Sequence, residues 1–174
     1  KTKISKIFFI GDKKIKDTKL RDVIVSQEHK FWKVISRSTN LNNKNIDLDK
    51  RLLENFYKSI GYYDVQVVSS NAEISQDNET TLTYNISAGK RYRITKISTD
   101  VQKPLEKKLF SSLDKEYIKI VGKYYSPFLV TKLLDRLDNV IADQELQFVE
   151  HSVSESISED SIEIKINVYE GKKQ

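Results

Sequence analysis

"NFYKSIGYYDVQVV", Asn55 to Val68, changes its period at Gly61. Before that glycine, Leu48, Leu52, Leu53, Phe56 and Ile60 recur at three- to four-residue spacing, the stripe of an amphipathic helix. After it, Tyr63 to Ile74 is rich in residues that favour extended backbone. Gly61 stands where a helix can end in left-handed backbone without a Cβ clash. Asn45 or Asp47 is placed to cap the other end. "SQDNE", Ser75–Glu79, is turn chemistry, and Leu82, Tyr84 and Ile86 then alternate as in a half-buried strand. The stretch therefore predicts a helix followed by a hairpin. The odd parity between Val65, Val67 and Ala72, Ile74 cannot put all four on one face, which predicts a bulge near Val67–Ser69.

Working outward, "KISKIFFIGD" (Lys3–Asp12) reads as a strand ending at Gly11, and "DTKLRDVIVS" (Asp17–Ser26) as a short helix. The second half repeats the order. "RYRITKISTD" (Arg91–Asp100) is its first strand and "PLEKKLFSSL" (Pro104–Leu113) its short helix. "SPFLVTKLLDRLDNVIA" (Ser126–Ala142) is its long helix, with Ser126 as cap and Pro127 at the first helical position. "ELQFVEHSVSE" and "SIEIKINVYEG" form its hairpin. Leu52-Leu53 and Leu133-Leu134 lie 81 residues apart, and Gly89 and Gly171 lie 82 apart. A nearly shared offset in separate elements argues for duplication, with one copy in 1–89 and the other in 90–174. The short connection "SAGKRYRITKI" predicts restricted bending between them.

Composition suits this plan. The 174 residues are 38% hydrophobic and 32% charged, enough for one domain or two small ones with modest cores. No apolar run approaches the ~20 residues a membrane-spanning helix needs. The start at Lys1 and the lack of Met lead us to expect a fragment of a longer protein. There is no Cys, which excludes disulfides, thiolate metal sites and thiol nucleophiles. A reducing cytosol and a cysteine-poor periplasm both fit. The net charge of +5, gathered around Lys13, Lys14, Lys16, Lys19 and Arg21, is what a solvated surface needs.

Candidates for chemistry are few. His29 and His151 fall in different copies, with no His, Asp or Glu at zinc-ligand spacing, and read as solvated. Asp47/Asp49 and Asp135/Asp138 read as capping or solvated pairs rather than acid–base dyads. No nucleophile elbow or phosphate-binding loop is present. Neither an enzyme nor a cofactor or metal site is expected.

A strand ending in glycine, two helices, an aromatic-rich Gly-Tyr exit and a hairpin closing on glycine resemble the POTRA domains of the outer-membrane β-barrel assembly and secretion family. The residues that carry this are Gly11, Phe56, Tyr57, Gly61, Tyr62 and Gly89 in the first copy. Gly122, Tyr125, Glu170 and Gly171 carry it in the second. The inserted "HKFWKVI" (His29–Ile35), with Trp32 as core or hinge anchor, is similar to the third POTRA domain of BamA-type proteins, which would make the second copy the fourth. Three departures stand out: Ala88 replaces an acidic residue, Thr99 replaces a glycine, and "ADQEL" occupies the second Gly-Tyr exit.

The resemblance implies an α+β fold: two tandem β-α-α-β-β domains, each a three-stranded sheet covered on one face by two helices. It also implies that the second strand of each copy is a sheet edge, Tyr63–Ile74 and about Leu146–Ser154. Such an edge can add a partner's strand. The candidate docking residues are Tyr63, Val65, Val67, Val68, Ala72, Ile74, Phe148 and Val149, with Val68, Ala72 and Ile74 placed to receive an accessory lipoprotein. The implied setting is the periplasm, in a chain that continues into a membrane β-barrel. Implied partners are accessory lipoproteins, unfolded outer-membrane proteins and their chaperones. Two other readings stand beside it: the receptor region of a two-partner secretion transporter, and an RNA-binding α/β module. The second is weakened because no G-x-x-G loop lies between the helices.

Overall fold

The computed structural model describes residues 2–30 and 40–172 and carries the β-α-α-β-β order twice. The chain divides into two compact units, Lys1–Lys58 with Tyr62–Gly89 and Ser59–Gly61 with Lys90–Gln174. Trp32 lies outside the described residues.

In the first unit β1 (Ile4–Asp12) runs parallel to β3 (Thr80–Ser87), and β2 (Gln66–Ile74) pairs antiparallel on the other side of β3. Helices α1 (Asp17–Val23) and α2 (Asn43–Ser59) bring Leu20, Leu53 and Tyr57 to one sheet face. There they meet Ile7 and Phe9 of β1 and Leu82, Tyr84 and Ile86 of β3. The alternation of β3 is clean: Thr80, Leu82, Tyr84 and Ile86 are all buried. Gly11 meets β3 so closely that a Cβ there would fall 2.4 Å from the Ile86 carbonyl oxygen.

The opening stretch resolves as a Schellman exit. Gly61 takes φ +108°, and the Tyr62 N–H reaches back to the Tyr57 carbonyl at 3.0 Å. The rings of Tyr57 and Tyr62 then meet edge to face, centroids 5.6 Å apart, supplying the apolar contact that accompanies this motif. At the other end the cap is Asn42, whose Oδ1 accepts from the Lys44 N–H at 2.9 Å. The helix thus begins before Asn45 and Asp47, and neither is the cap. Its first turn carries no apolar stripe to reveal it in the sequence.

Asp49 corrects the sequence reading more deeply. It is fully buried on α2, neither capping nor solvated. Its Oδ1 accepts from the Val25 and Ser26 N–H groups at 2.7 and 3.3 Å, and its Oδ2 from the Tyr84 hydroxyl at 2.5 Å. One carboxylate therefore ties the chain after α1 to both α2 and the central strand. Burial, and then the bond to Asp49, pushes the Tyr84 phenol well above its usual pKa.

The second unit has order β4-β6-β5, from β4 (Arg93–Val101), β5 (Val149–Ser158) and β6 (Ser161–Glu170). Its inward central-strand positions are aliphatic throughout: Ile162, Ile164, Ile166 and Val168. The short helix is α3 (Leu113–Ile120), not Pro104–Leu113. Only a single 3-10 turn, Lys107–Phe110, forms within the earlier stretch. The buried stripe that decides the position is Leu113, Tyr117 and Ile120, spaced as a helix requires. Helix α4 (Pro127–Asp143) starts as expected, with Ser126 Oγ accepting from Phe128 N–H at 3.2 Å and Pro127 in the first turn.

The exit of α4 repeats that of α2 without glycine. Glu145 takes φ +53°, and the Leu146 N–H bonds the Ile141 carbonyl at 3.1 Å. A side chain in this conformation costs about 1–2 kcal/mol, part of which glycine's greater unfolded freedom would offset. Glu145→Gly should therefore raise stability by about 0.5–1 kcal/mol, read as a higher urea midpoint with unchanged slope. An unchanged or lowered midpoint would contradict the left-handed exit.

Candidate docking edges

A three-stranded sheet has two rims, and in each unit they are treated differently. The rim of β1 is occupied. His29 N–H bonds the Ile4 carbonyl at 2.7 Å, Glu28 accepts from Ile7 N–H at 3.0 Å, and Arg21 donates to the Ile7 carbonyl at 3.1 Å. Leu41 N–H bonds the Thr2 carbonyl, and Lys3 bridges to Asn40. β4 is claimed at its start, where Ile94 exchanges bonds of 2.8 and 2.7 Å with Lys123 and Gly122. Arg93 there bridges to Tyr124, whose ring lies under the guanidinium groups of Arg91 and Arg93. Further along, the Thr99 hydroxyl meets that of Tyr117 on α3 at 2.5 Å.

Among the described residues, the rims of β2 beyond Val67 and of β5 are not covered in this way. β2 pairs only with β3, and β5 only with β6. Among the described residues nothing outside the sheet bonds the backbone of Ser69–Ile74. In an extended strand the outward backbone groups recur at every second residue, so each rim offers a ladder of donors and acceptors.

Side chains set how that ladder can be approached. The register between β2 and β3 shifts between Val67 and Ser69, at the position where parity demanded a bulge. Val67 lies opposite Ile86, while Ala72 and Ile74 lie opposite Leu82 and Thr80. Paired residues share a face, so all three point to the helix side. Only Val67 is covered there. Ala72 is exposed, and Ile74 is 60% exposed. Val68, the extra residue of the bulge, is 54% exposed.

Several expected positions need correction. β2 begins at Gln66, so Tyr63 and Val65 precede it; Tyr63 lies in the turn, and Val65, like Val67, is a core residue. The Schellman exit takes up the residues after Gly61 before the chain can extend. Phe148 is likewise outside β5, held at φ +58° with its carbonyl bonded by Gly171 N–H. The second edge strand is Val149–Ser158 rather than Leu146–Ser154, and it brings in Ile157, 42% exposed, which the sequence reading missed. The alternation of Val149, His151, Val153, Glu155 and Ile157 carried that signal.

His151, expected to be solvated, is partly exposed and has a surface carboxylate beside it. It sits on β5 with Nε2 2.8 Å from Asp138 Oδ1 on α4, and Tyr125 donates to Glu155 at 2.8 Å. One link ties β5 to α4 and the other to the segment just before it. Among the described residues no three His, Asp or Glu side chains converge as a metal site would require.

The family model described as POTRA, surface antigen variable number repeat, matches residues 2–89. The chain belongs to the POTRA family. The outer membrane protein assembly factor BamA of Neisseria meningitidis is 25% identical over 152 residues, which are 87% of this chain and 19% of that protein. BamA of Buchnera aphidicola is 32% identical over 95 residues, 53% of this chain and 15% of that protein. This POTRA chain thus spans less than a fifth of either curated relative. Among solved structures, POTRA3-5 of Haemophilus influenzae BamA matches with TM-score 0.68 and 11% identity, over 96% of this chain and 65% of that one. POTRA1-2 of Anabaena Omp85 matches with TM-score 0.60 and 12% identity, over 98% and 96%. The fold class expected from the sequence, tandem α+β POTRA domains with three-stranded sheets, is therefore established.

One side chain limits the open rim of this POTRA sheet. Glu54 on α2 accepts from the Val67 N–H at 3.1 Å, so the edge ladder is already occupied at the bulge. Glu54→Ala should leave that N–H to water and speed Val67 amide exchange at least about tenfold, while Glu54→Gln, which keeps an acceptor, should change it little. Equal rates in all three proteins would remove Glu54 from this role.

Proposed function

We propose that the chain is a non-catalytic periplasmic scaffold within an outer-membrane protein assembly factor. Its two POTRA domains, 1–89 and 90–174, would dock extended polypeptide at the rims of β2 and β5. The observation that carries this reading is the uncovered Ser69–Ile74 rim, with Val68, Ala72 and Ile74 exposed beside it. It occurs in a chain similar to the assembly factor BamA of Neisseria meningitidis over 87% of its length.

Backbone pairing suits such a role because it makes little demand on sequence. Each added main-chain bond contributes only about 0.5–1.5 kcal/mol net. A short strand added to Ser69–Ile74 would therefore bind weakly and reversibly, with the apolar side chains at the end of β2 supplying an anchor. That is the behaviour needed to hold many unfolded barrel strands in turn. In this reading the partners are accessory lipoproteins at the β2 rim, nascent outer-membrane proteins with their chaperones, and a C-terminal β-barrel in the parent chain. We further propose that the two units are the third and fourth POTRA domains of that parent, on the His29–Ile35 insertion. The sequence after Gln174 tests that numbering, since a further POTRA unit followed by barrel strands of about ten residues is expected.

The direct test is an NMR titration of the chain with a barrel-strand peptide of alternating apolar and polar residues. Shifts should concentrate in Ser69–Ile74 and Val149–Ser158, and Ile74→Asp should weaken binding at the first rim several-fold. A peptide with proline at every second position, unable to complete the ladder, should not bind. Shifts confined to β1 and β4, or equal binding of the proline peptide, would defeat the proposal.

A further inference from the structure

Helices α3 and α4 of the second unit leave between them a groove of about 270 Å³, remote in kind from the sheet rims. Lys119, Lys123, Lys132 and Arg136 line it around the half-buried Leu129, with the core residues Ile120 and Leu133 beneath. The one acidic side chain in the lining, Glu116, is engaged by Lys119 at 3.4 Å. Among the described residues Lys123, Lys132 and Arg136 have no acidic partner. Lys132 and Arg136 stand one helical turn apart, a spacing at which like charges repel. Exposed like charges at this spacing repel weakly, and a bound anionic group would relieve that repulsion.

From this geometry we infer that the α3–α4 groove docks an acidic polypeptide segment, one that alternates carboxylate and apolar side chains. The carboxylates would meet the cations on the walls, and the apolar side chains would reach the half-buried Leu129 between them. An arginine offers a carboxylate two parallel N–H donors, so Arg136 gives the contact direction as well as charge. A purely inorganic anion would use the walls and leave Leu129 uncovered. Exposed cations also act at a distance of about 10 Å in dilute salt, favouring rapid capture over tight holding. The site goes beyond the rim-docking reading and uses none of its residues.

The test is fluorescence anisotropy of the whole chain with a labelled eight-residue peptide of alternating Glu and Leu, N-methylated at every second backbone amide so that it cannot add to a sheet rim. Binding should be saturable and should weaken at least about tenfold between roughly 0.05 and 0.5 M salt. Lys132→Glu with Arg136→Glu should weaken it about tenfold or more while the far-ultraviolet dichroism stays unchanged. Should that pair fail to fold, Lys132→Gln with Arg136→Gln serves, with a smaller loss expected. Ile74→Asp should leave this binding intact, which separates it from the rim. The inference is overturned if the peptide does not bind, if a Gln/Leu peptide binds equally well, or if the charge variants bind like the parent. It is overturned too if phosphatidylglycerol vesicles bind through Lys132 and Arg136 while the acidic peptide does not.

Discussion

In a sheet of three strands, only the middle one has hydrogen-bond partners on both sides. Each unit therefore has two rims of backbone donors and acceptors that must be satisfied by something other than the sheet. The first unit spends Glu28, His29, Arg21 and Leu41 on the rim of β1. The second uses residues 122–125 at the start of β4. Among the described residues the opposite rims, β2 beyond Val67 and β5, pair with no further strand. This asymmetry gives each sheet a direction in which it can grow, and the functional reading follows from it. The bulge and Glu54 then restrict growth on β2 to the segment beyond Val67.

The two units reach the same topology by different chemistry. In the first, a buried carboxylate at Asp49 gathers two backbone N–H groups and the Tyr84 hydroxyl. Removing one partner of such a cluster leaves buried polar atoms unpaired, a loss of several kcal/mol. In the second, the inward row of β6 is Ile162, Ile164, Ile166 and Val168, and needs no such partners. The polar links there, His151–Asp138 and Tyr125–Glu155, lie nearer the surface, where they brace β5 instead of building the core.

Much of this was legible where a local rule is strict. The period change at Gly61, the cap at Ser126 and the bulge near Val67 each follow from backbone geometry that only a few residues or parities can satisfy. Legibility failed where tertiary partners decide. Nothing in "NIDLDK" shows that Asp49 turns inward, because its partners lie 23 to 35 residues away. The strand starts at Gln66 and Val149 were set by the length of the preceding helix exits, which the extended-looking Tyr63 and Phe148 conceal. α3 was misplaced because "PLEKKLF" is rich in helix formers, while burial of Leu113, Tyr117 and Ile120 selects the later frame. The basic groove between α3 and α4 was invisible for the same reason: its four cations come together only when the helices pack.

Amide hydrogen exchange of the whole chain, resolved residue by residue, tests the unequal rims most directly. The account predicts that the outward N–H groups of Ser69–Ile74 and of Val149–Ser158 exchange fast, while Ile7 on β1 and Ile94 on β4 are protected. Uniform protection across all four rim strands, or protection of Ser69–Ile74 equal to that of β3, would contradict it.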